Sequence, residues 1–312
     1  MDINDVLKLV ENYDTICIFT HINADSDALG SQLGLKEYLK IKYSDKEILA
    51  IGSDKTINPL LKYSNLDLNV EDNKIKSSLG IIVDTSNKDR VEDKRYTLCK
   101  QLIVIDHHPN SDIDADVNCV NVSAAAASQI VTLMIKQSND VINKVIATLL
   151  FGGILADTIR FSIPSTTQET FEAALYLINY EIDIAQINRE LFCGDINEYK
   201  FNGFIRNNTI VVDGKFAYVI LTREDYINNS LSFSQAKDKV FVLGEVESFE
   251  MWALFIETKE KGVYHGSLRS RKEKINDIAN KYDGGGHNLA CGVKNLSKDK
   301  IATLIKELIN RL

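Results

Sequence analysis

Short apolar runs that end abruptly in polar residues constrain the fold of this chain more than any other feature of its sequence. The runs over 14–20, 79–83 and 101–105 are rich in β-branched residues and have the length of buried strands. Apolar residues at helical spacing follow the first run over 28–39. Strands that alternate with helices in this way predict βαβ units, and therefore an α/β domain with a parallel sheet and flanking helices.

The second half of the chain has a different pattern. Residues 123–191 show mainly helical spacing, whereas 210–221 is typical of two strands joined by a hairpin turn at Asp213-Gly214. Further strands and helices are predicted over 249–257, 263–268, 275–281 and 298–311. We therefore predict a smaller α+β domain after the parallel-sheet domain. The predicted bounds are 1–190 for the first domain, 191–205 for a linker and 206–312 for the second domain.

Composition and charge exclude several classes of protein. Hydrophobic residues make up 45% of the chain, which lets each half bury a core. No apolar run reaches the roughly 18 residues of a membrane-spanning helix. The five scattered cysteines form no Cys-x-x-Cys pair, which fits reduced thiols in the cytoplasm. The formal charge of -8 is unlike that of proteins that coat long nucleic acids, so an anionic substrate would need local attraction from bound metal or a few placed cations.

Aspartates and histidines are concentrated in four short segments, and three of these segments directly follow a predicted strand. The segments are His21–Asp27 (His-Ile-Asn-Ala-Asp-Ser-Asp), Asp84, Asp106-His107-His108 and Asp157. Open α/β sheets bind their ligands at the carboxyl ends of the strands. We therefore expect the four segments to meet in one crevice at that edge of the sheet.

Carboxylates gathered in one crevice need compensating charge, because like charges a few ångströms apart do not all stay ionised. Two divalent cations would balance them, with neutral histidines as further ligands, and such a pair of ions can activate water and clamp a phosphoryl group. One carboxylate would bridge the two ions, and Asp84 is our choice. Since the nearby donors are oxygen and imidazole nitrogen, the pattern favours Mn2+ or Mg2+, with Co2+ also compatible, over structural zinc.

Each aspartate taken alone has a simpler interpretation. An aspartate after a strand commonly caps the next helix or forms a turn, and Asp27 before Ala28-Leu29 fits such an N-cap. A lone His-His pair is likewise weak evidence for a metal. Four such segments, three of them at strand ends, favour a shared metal site over four independent caps.

Residues 267–292 hold the polar residues that we expect to bind substrate. Glycines 284–286 allow close backbone approach and offer N–H groups to a phosphate, although a flexible turn is the simpler interpretation. Two arginines spaced two residues apart share one face of a strand, where they either bind phosphate or form a solvated edge. The candidates are Arg269, Arg271, Gly284, Gly285, Gly286 and His287, with Arg90 and Arg160 as weaker ones.

Taken together, the motifs resemble those of the DHH phosphoesterases. The resemblance rests on His21-x-x-x-Asp25-x-Asp27, Asp84, Asp106-His107-His108 and Asp157. Residues 267–292, which end in Gly284-Gly285-Gly286-His287 and Ala290-Cys291-Gly292, resemble the DHH-associated C-terminal domain of that family. The resemblance covers nearly the whole chain. Its two-domain length is similar to the NrnA type, the bifunctional oligoribonucleases and 3′-phosphoadenosine-5′-phosphate (pAp) phosphatases.

This chain departs from the pattern of the family at three positions. The family often has proline where this chain has Ala24, and glycine where it has Ile159. Asp283 replaces a glycine that is common before the final Gly-Gly-Gly-His. None of these changes removes a ligand, but the last two could narrow or reshape the substrate cleft.

The resemblance implies a role for each motif residue and an active site in the cleft between the two domains. The implied metal ligands are His21, Asp25 and Asp84 for one ion, and Asp27, Asp84, His107 and Asp157 for the other. His108 would face the substrate phosphate or assist the leaving group, and Asp106 would orient a histidine from behind. Which histidine of the pair touches metal stays open. The candidate catalytic residues are Asp84, Asp106, His107 and His108.

The function that these features favour is metal-dependent hydrolysis of short oligonucleotides (nanoRNA, or dinucleotides such as pApA) to mononucleotides, and of pAp to AMP. A grip on the terminal nucleotide would exclude long strands, so we do not expect long duplex nucleic acid as a partner. Because no apolar run is long enough to span a bilayer, we do not expect a membrane as a partner either. The alternatives are a phosphodiesterase specific for pApA from cyclic-di-AMP breakdown, a family II inorganic pyrophosphatase and a non-catalytic nucleotide sensor. Whether the chain forms a homodimer stays open.

Overall fold

The structure, a computed structural model, describes residues 3–109 and 111–312. The chain forms two compact units, Met1–Cys193 (unit 1) and Gly194–Leu312 (unit 2). The predicted linker over 191–205 is wrong, because a helix begins at Ile196 and completely buries Phe201 and Ile205 in the core of unit 2. Residues 1, 2 and 110, which fall within the first predicted domain, lie outside the described residues.

Unit 1 contains the predicted parallel sheet. Its strands are β1 (Thr15–Phe19), β2 (Glu47–Ala50), β3 (Leu79–Val83), β4 (Gln101–Asp106) and β5 (Val117–Val120). Neighbouring strands are parallel and follow the order β2-β1-β3-β4-β5. The strands predicted from the three apolar runs are confirmed. The edge strands β2 and β5 were not predicted, because each has only four residues and partly exposed side chains interrupt the apolar pattern.

Helices cover both faces of this sheet. They are α1 (Ile3–Glu11), α2 (Ser26–Lys42), α3 (Asp72–Ser77), α4 (Ala127–Gln137), α5 (Lys144–Asp157), α6 (Gln168–Ile178) and α7 (Ile184–Phe192), with short 3-10 helices over Pro59–Lys62 and Lys94–Leu98. Helices α2 and α5 touch at Gly30 and Gly153, since a Cβ on Gly30 would lie 2.6 Å from the carbonyl oxygen of Leu149. Close packing of these two helices fixes the start of α2 against the second half of α5.

Unit 2 is an α+β domain around a six-stranded mixed sheet. Its strands are β6 (Ile210–Val212), β7 (Phe216–Leu221), β8 (Met251–Glu257), β9 (Tyr264–Ser270), β10 (Gly285–His287) and β11 (Ala290–Leu296). Its helices are α8 (Ile196–Asn207), α9 (Arg223–Ile227), α10 (Phe233–Asp238), α11 (Asn276–Asn280) and α12 (Lys298–Ile309), with a 3-10 helix over Lys239–Glu245. The order is β10-β11-β9-β8-β7-β6, in which β7 and β8 are parallel and the other pairs antiparallel.

The hairpin predicted at Asp213-Gly214 is confirmed. Strands β6 and β7 are antiparallel, and the two turn residues have φ values of 50° and 70°, the left-handed pair that a two-residue hairpin turn requires. The elements predicted over 249–257, 263–268, 275–281 and 298–311 correspond to β8, β9, α11 and α12. Residues 223–238 form α9 and α10, which were not predicted.

The two faces of the unit 2 sheet are covered differently. One face packs along most of its width on α11 and α12. The opposite face packs on α8 and on the segment 226–243 mainly through residues of β7 and β8, and Phe233 of that segment also contacts His265 of β9, with 5.5 Å between the ring centroids. Along the chain as described, 3–109 and 111–312, no helix is both long and apolar enough to cross a bilayer.

Candidate metal centre

The strand order of unit 1 brings the four predicted segments to one edge of the sheet. The chain changes direction across the sheet between β1 and β3, and in such sheets the crevice at the carboxyl ends of those strands is the ligand site. His21, Asp84 and Asp106 follow or end β1, β3 and β4 at that edge. Three groups of potential ligand atoms, each within 4.8 Å of one another, are His21-Asp25-Asp84, Asp27-His107-Asp157 and Asp84-His107-His108.

Asp84 lies at the centre of this arrangement. Its backbone has a left-handed φ of 57°, and its amide donates to the carbonyl of Ile105 at 3.0 Å. Its Oδ2 is 3.3 Å from Nε2 of His21, and its Oδ1 is 3.2 Å from Nε2 of His107. Each oxygen of this buried carboxylate therefore faces a different histidine. A carboxylate that bridges two metal ions needs this arrangement.

His21 and Asp25 flank Asp84 on the β1 side. The Nδ1 of His21 lies 3.0 Å from the carbonyl oxygen of Ile22, which can only accept, so Nδ1 carries the hydrogen. Nε2 then points to Asp84 and, at 3.8 Å, to Oδ2 of Asp25. The other oxygen of Asp25 accepts from the amides of Asp27 and Ala28 at 3.0 and 3.1 Å. The N-cap of α2 is therefore Asp25, and the interpretation of Asp27 as that N-cap is wrong.

Asp27 instead joins two helices. It is fully buried in the first turn of α2, and its carboxylate accepts from the amides of Ala127 and Ser128 at 2.6 and 2.9 Å, the first residues of α4. A carboxylate is favoured at a helix N-terminus. Burial, and next the charge of Asp84, nevertheless raise the pKa of Asp27 to about 7. Neither donor to this carboxylate was identified from the sequence, because α4 begins without a polar N-cap residue.

His107 and Asp157 complete this side of the centre. The Nδ1 of His107 lies 3.3 Å from the carbonyl oxygen of Ala124, and its Nε2 lies 3.3 Å from Asp157 and 3.9 Å from Asp27. Asp157 is the last residue of α5, where the helix dipole disfavours a negative charge. Burial, followed by the charges of Asp27 and Asp84, raises the pKa of Asp157 to about 9.

Asp106 contacts the second histidine of the pair. Its Oδ1 is 2.8 Å from Nδ1 of His108 and accepts from the backbone amides of His107 and His108 at 2.8 and 3.2 Å. Burial alone would raise the pKa of Asp106, but its contacts with His108 hold that pKa below the ordinary range. The side chain of His108 is 36% exposed, whereas that of His107 is 14% exposed and points into the carboxylates. The geometry therefore separates an inner histidine from an outer one.

The donor set fits bound cations. Among the described residues, Oδ1 of Asp84 and Nε2 of His107 are buried without a hydrogen-bond partner, which is uncommon for polar atoms. Burial would raise the pKa of Asp84, yet contacts with His107 and His21 lower it to about 2. Burial would lower the pKa of His107, but Asp84 raises it to about 9, so positive charge is favoured between the two side chains. A cation supplies such charge, and the clusters of aspartate and histidine can therefore hold metal ions.

The two arginines predicted in unit 2 have different surroundings. Arg269 is the next-to-last residue of β9, where its Nη1 donates to the carbonyl of Leu268 at 2.9 Å, and burial lowers its pKa. It forms no ion pair with a carboxylate of the described chain. A half-buried guanidinium without a carboxylate partner is available for an anion.

Arg271 uses its donors within unit 2. Its Nε donates to the carbonyl of Phe249 at 2.8 Å, and its Nη2 to those of Gly244 and Val246 at 2.9 and 3.2 Å. Its guanidinium also lies over the ring of Trp252, 5.4 Å from the ring centroid. These contacts give Arg271 a structural role in fixing the loop 244–249.

The glycine-rich segment is part of the sheet, so the interpretation as a flexible turn is wrong. Gly285–His287 forms β10, which pairs with β11. A Cβ on Gly284 would lie 2.3 Å from the carbonyl oxygen of Gly292, and one on Gly286 2.4 Å from that of Ala290. Gly284 and Gly286 therefore allow two backbones to approach closely, whereas Gly285 and His287 are exposed.

The weaker candidates lie close to the centre along the chain. Arg90 is exposed, and its carbonyl accepts from the amide of Ile22 at 2.8 Å, next to His21. Arg160 has its guanidinium over the ring of Phe192, 4.8 Å from the centroid. The structure thus places Arg90 beside the metal residues and engages Arg160 in a cation–π contact.

Comparisons with known proteins agree with this architecture. Residues 15–154 match the DHH family, N-terminal domain, and residues 213–312 match the DHHA1 domain. A probable bifunctional oligoribonuclease and PAP phosphatase NrnA of Streptococcus mutans is 34% identical over 98% of both chains. The bifunctional oligoribonuclease and PAP phosphatase NrnA of Bacillus subtilis is 32% identical over 97% of this chain and 96% of the relative.

A solved structure shares the fold of the whole chain. The exopolyphosphatase-related protein of Bacteroides fragilis superposes with a TM-score of 0.87 at 22% identity. The superposition covers 98% of this chain and 94% of that protein. The likeness therefore extends over both units.

Proposed function

Because this chain belongs to the DHH family, we propose that it is a two-metal phosphoesterase that hydrolyses short oligonucleotides to mononucleotides and pAp to AMP. The observation that carries the proposal is the meeting of two histidine Nε2 atoms and four aspartates at one sheet edge. Relatives named for these two activities match nearly the full length of this chain.

The proposed ligands divide into two sets that share Asp84. They are His21, Asp25 and Asp84 for one ion, and Asp27, Asp84, His107 and Asp157 for the other. Bound divalent ions, proposed to be Mn2+, would activate water and neutralise charge on the phosphoryl oxygens. The short distances from both oxygens of Asp84 to the two Nε2 atoms support this division.

The side chains of the site have their own tasks in this proposal. Carbonyl oxygens of Ile22 and Ala124 hold the Nδ1 hydrogens of His21 and His107, so that both Nε2 lone pairs face inward. Asp106 holds Nδ1 of His108, which leaves Nε2 of this half-exposed ring for the phosphate or the leaving oxygen of the substrate. His107 is therefore the proposed ligand of the pair, and His108 the residue that touches substrate.

Unit 2 is proposed to bind the nucleotide. Arg269 offers a guanidinium without a carboxylate partner in the described part of the chain, and His287 and Gly285 are exposed two strands away on the same sheet. Arg90 is a further candidate for substrate contact on unit 1. A few placed cations of this kind let a chain with a net charge of -8 bind an anionic substrate without a basic surface.

A substrate panel tests the proposal. The metal-stripped chain is incubated with Mn2+, Mg2+ or Co2+ and with pApA, pAp, pyrophosphate or a long single-stranded RNA, and the products are resolved by chromatography. We expect release of AMP from pApA and pAp with Mn2+, and little product from the other two. Product from pyrophosphate alone would replace the proposed substrate, and tight binding of pApA without product would indicate a sensor.

A further inference from the structure

Strand register places an imidazole, a guanidinium and an indole of unit 2 in one row. Directly paired residues share a sheet face, and β10, β11, β9 and β8 pair as His287 with Ala290, Ala290 with Arg269, and Arg269 with Trp252. The row therefore runs from an imidazole through a methyl group and a guanidinium to an indole. Neighbouring strands are roughly 4.8 Å apart, so Arg269 stands directly beside Trp252.

The surface along this row suits a flat ligand. On the same face, the pairs next to the row are Gly285 with Gly292, and Gly292 with Ser267, all small residues, of which Gly285 is exposed and Ser267 is buried. Among the described residues, the core that covers this face over β7 and β8 includes no residue of β9, β10 or β11, although Phe233 at its margin contacts His265 of β9. Small side chains therefore form a floor, and Trp252, at the margin of that core, forms a wall beside it.

Trp252 is fixed in place and has an unused donor. A Cβ on Gly244 would lie 2.6 Å from the six-membered ring of the indole, so only glycine lets the backbone approach there. The guanidinium of Arg271 covers the ring from another side. The ring is partly exposed, and its buried Nε1 has no hydrogen-bond partner among the described residues, although a buried indole N–H usually has one.

We propose that Trp252 is a specificity-determining residue that contacts the base of a nucleotide whose phosphate is bound by Arg269. This inference rests on the proposed function and adds a residue to it. A nucleotide carries its anionic phosphate and its planar base at opposite ends, and the row offers a cation beside an aromatic ring in the same order. The base lies on the floor of small residues against the exposed part of the indole ring.

The chain contains one tryptophan, so its intrinsic emission reports on this residue alone. The full chain in Mg2+ is titrated with AMP and, as a control without a base, with ribose 5-phosphate, while calorimetry measures binding of both. We expect AMP to change the emission saturably, with a midpoint that matches its calorimetric Kd, and ribose 5-phosphate to leave the emission unchanged. Binding of AMP by calorimetry without any change in emission would overturn the proposal.

Two substitutions separate contact from distant effects. Trp252→Leu should weaken AMP binding about tenfold and Trp252→Phe less, because the phenyl ring still meets the base. Both variants should bind ribose 5-phosphate as the wild type does, whereas Arg269→Ala should weaken binding of both ligands. Equal loss of AMP and ribose 5-phosphate binding in Trp252→Leu would mean that the indole only supports Arg269, which contradicts base contact.

The outcome is independent of the proposed hydrolysis. Circular dichroism and thermal unfolding of both Trp252 variants show that the sheet is intact. If pApA is hydrolysed normally but AMP leaves the tryptophan emission unchanged, the proposed base contact is wrong and the proposed function stands. If no substrate turns over but AMP still changes the emission, and calorimetry shows the expected loss of AMP affinity in Trp252→Leu, the proposed function is wrong and the base contact stands.

Discussion

The edge of the unit 1 sheet and the face of the unit 2 sheet collect polar residues by different means. At the edge, His21, Asp84 and Asp106 follow or end three parallel strands, so the fold brings them together whatever the details of packing. On the face, Arg269 and Trp252 meet only because β9 and β8 pair in one register. A slip by one residue would send each side chain to the opposite face.

The difference also appears in the electrostatics. At the edge, burial beside Asp27 and Asp84 raises the pKa of Asp157 to about 9, whereas contacts with His107 and His21 outweigh burial and lower the pKa of Asp84 to about 2. The face holds the half-buried guanidinium of Arg269, whose pKa burial lowers and which pairs with no carboxylate within 3–109 or 111–312. One region can therefore hold cations, and the other can bind an anion. The following predictions test this contrast.

The largest effect is expected for Asp84→Ala. The change removes the one carboxylate that faces both His21 and His107, so we expect kcat for pApA to fall roughly a thousandfold, as for loss of a central electrostatic group. Calorimetry should show that Mn2+ binding is lost as well. Asp114→Ala, at an exposed aspartate without hydrogen bonds in the described chain, is the matched control. A near-normal rate in Asp84→Ala would contradict the bridging role.

The next largest effect is expected for Asp106→Asn. Asparagine keeps an oxygen near Nδ1 of His108 but removes the charge that holds the ring, so we expect kcat to fall about 10- to 100-fold. Mn2+ affinity should change little, because Asp106 faces His108 rather than the inner carboxylates. A large loss of Mn2+ affinity with unchanged kcat would instead assign His108 to the metal.

Strand-end motifs are visible in a sequence because each depends on a few consecutive residues. The apolar runs that form β1, β3 and β4 and the aspartates that follow them were predicted, and so was the gathering of the four segments. The donors at the start of α4 that bind Asp27 were not, because they are backbone amides a hundred residues away in the chain. The helix Ile196–Asn207 was taken for a linker, since only Phe201 and Ile205 of its residues are buried.

In unit 2, the strand register and the hydrogen-bond partners of individual side chains could not be predicted from the sequence. Arg269 and Arg271 look equivalent as a pair two residues apart. In the structure three backbone carbonyls already occupy the donors of Arg271, and none of those acceptors is near it in sequence. Trp252 was not predicted as a site residue, because its partner Arg269 is on the next strand.

Substitution of the two arginines tests that distinction. Arg269→Ala should raise KM for pApA about tenfold with little change in kcat, as for a residue that binds substrate and transition state equally. Arg271→Ala should lower the free energy of unfolding by about 1–3 kcal/mol, because it leaves the carbonyls of Gly244 and Phe249 without a donor. Steady-state kinetics and urea unfolding of both variants measure the two effects. The reverse result, with Arg269 structural and Arg271 affecting KM alone, would refute the assignment.

The smallest effect is expected from backbone strain at Ile159, two residues after the proposed metal ligand Asp157. Helix α5 ends in a Schellman motif, in which the amide of Ile159 donates to Ala156 at 3.0 Å and that of Arg160 to Leu155 at 2.9 Å. Ile159 occupies the position that usually requires glycine, at a φ of 46°, and its side chain is 54% exposed. A β-branched residue in this conformation is strained, and the exposed side chain contributes little burial to offset that strain.

Ile159→Gly should therefore raise the free energy of unfolding by roughly 1 kcal/mol, the balance of relieved left-handed strain and the greater entropy of glycine in the unfolded chain. Ile159→Ala keeps a Cβ at the same φ and is the matched control, with a smaller gain or none. Urea unfolding measures both, and kcat for pApA should stay at the wild-type value because Asp157 keeps its place at the end of α5. Destabilisation by glycine would show that the side chain of Ile159 makes contacts worth more than the strain. The edge of the unit 1 sheet would then depend on the packing of Ile159 as well as on the positions of the strand ends. In that respect it would resemble the face of the unit 2 sheet more closely.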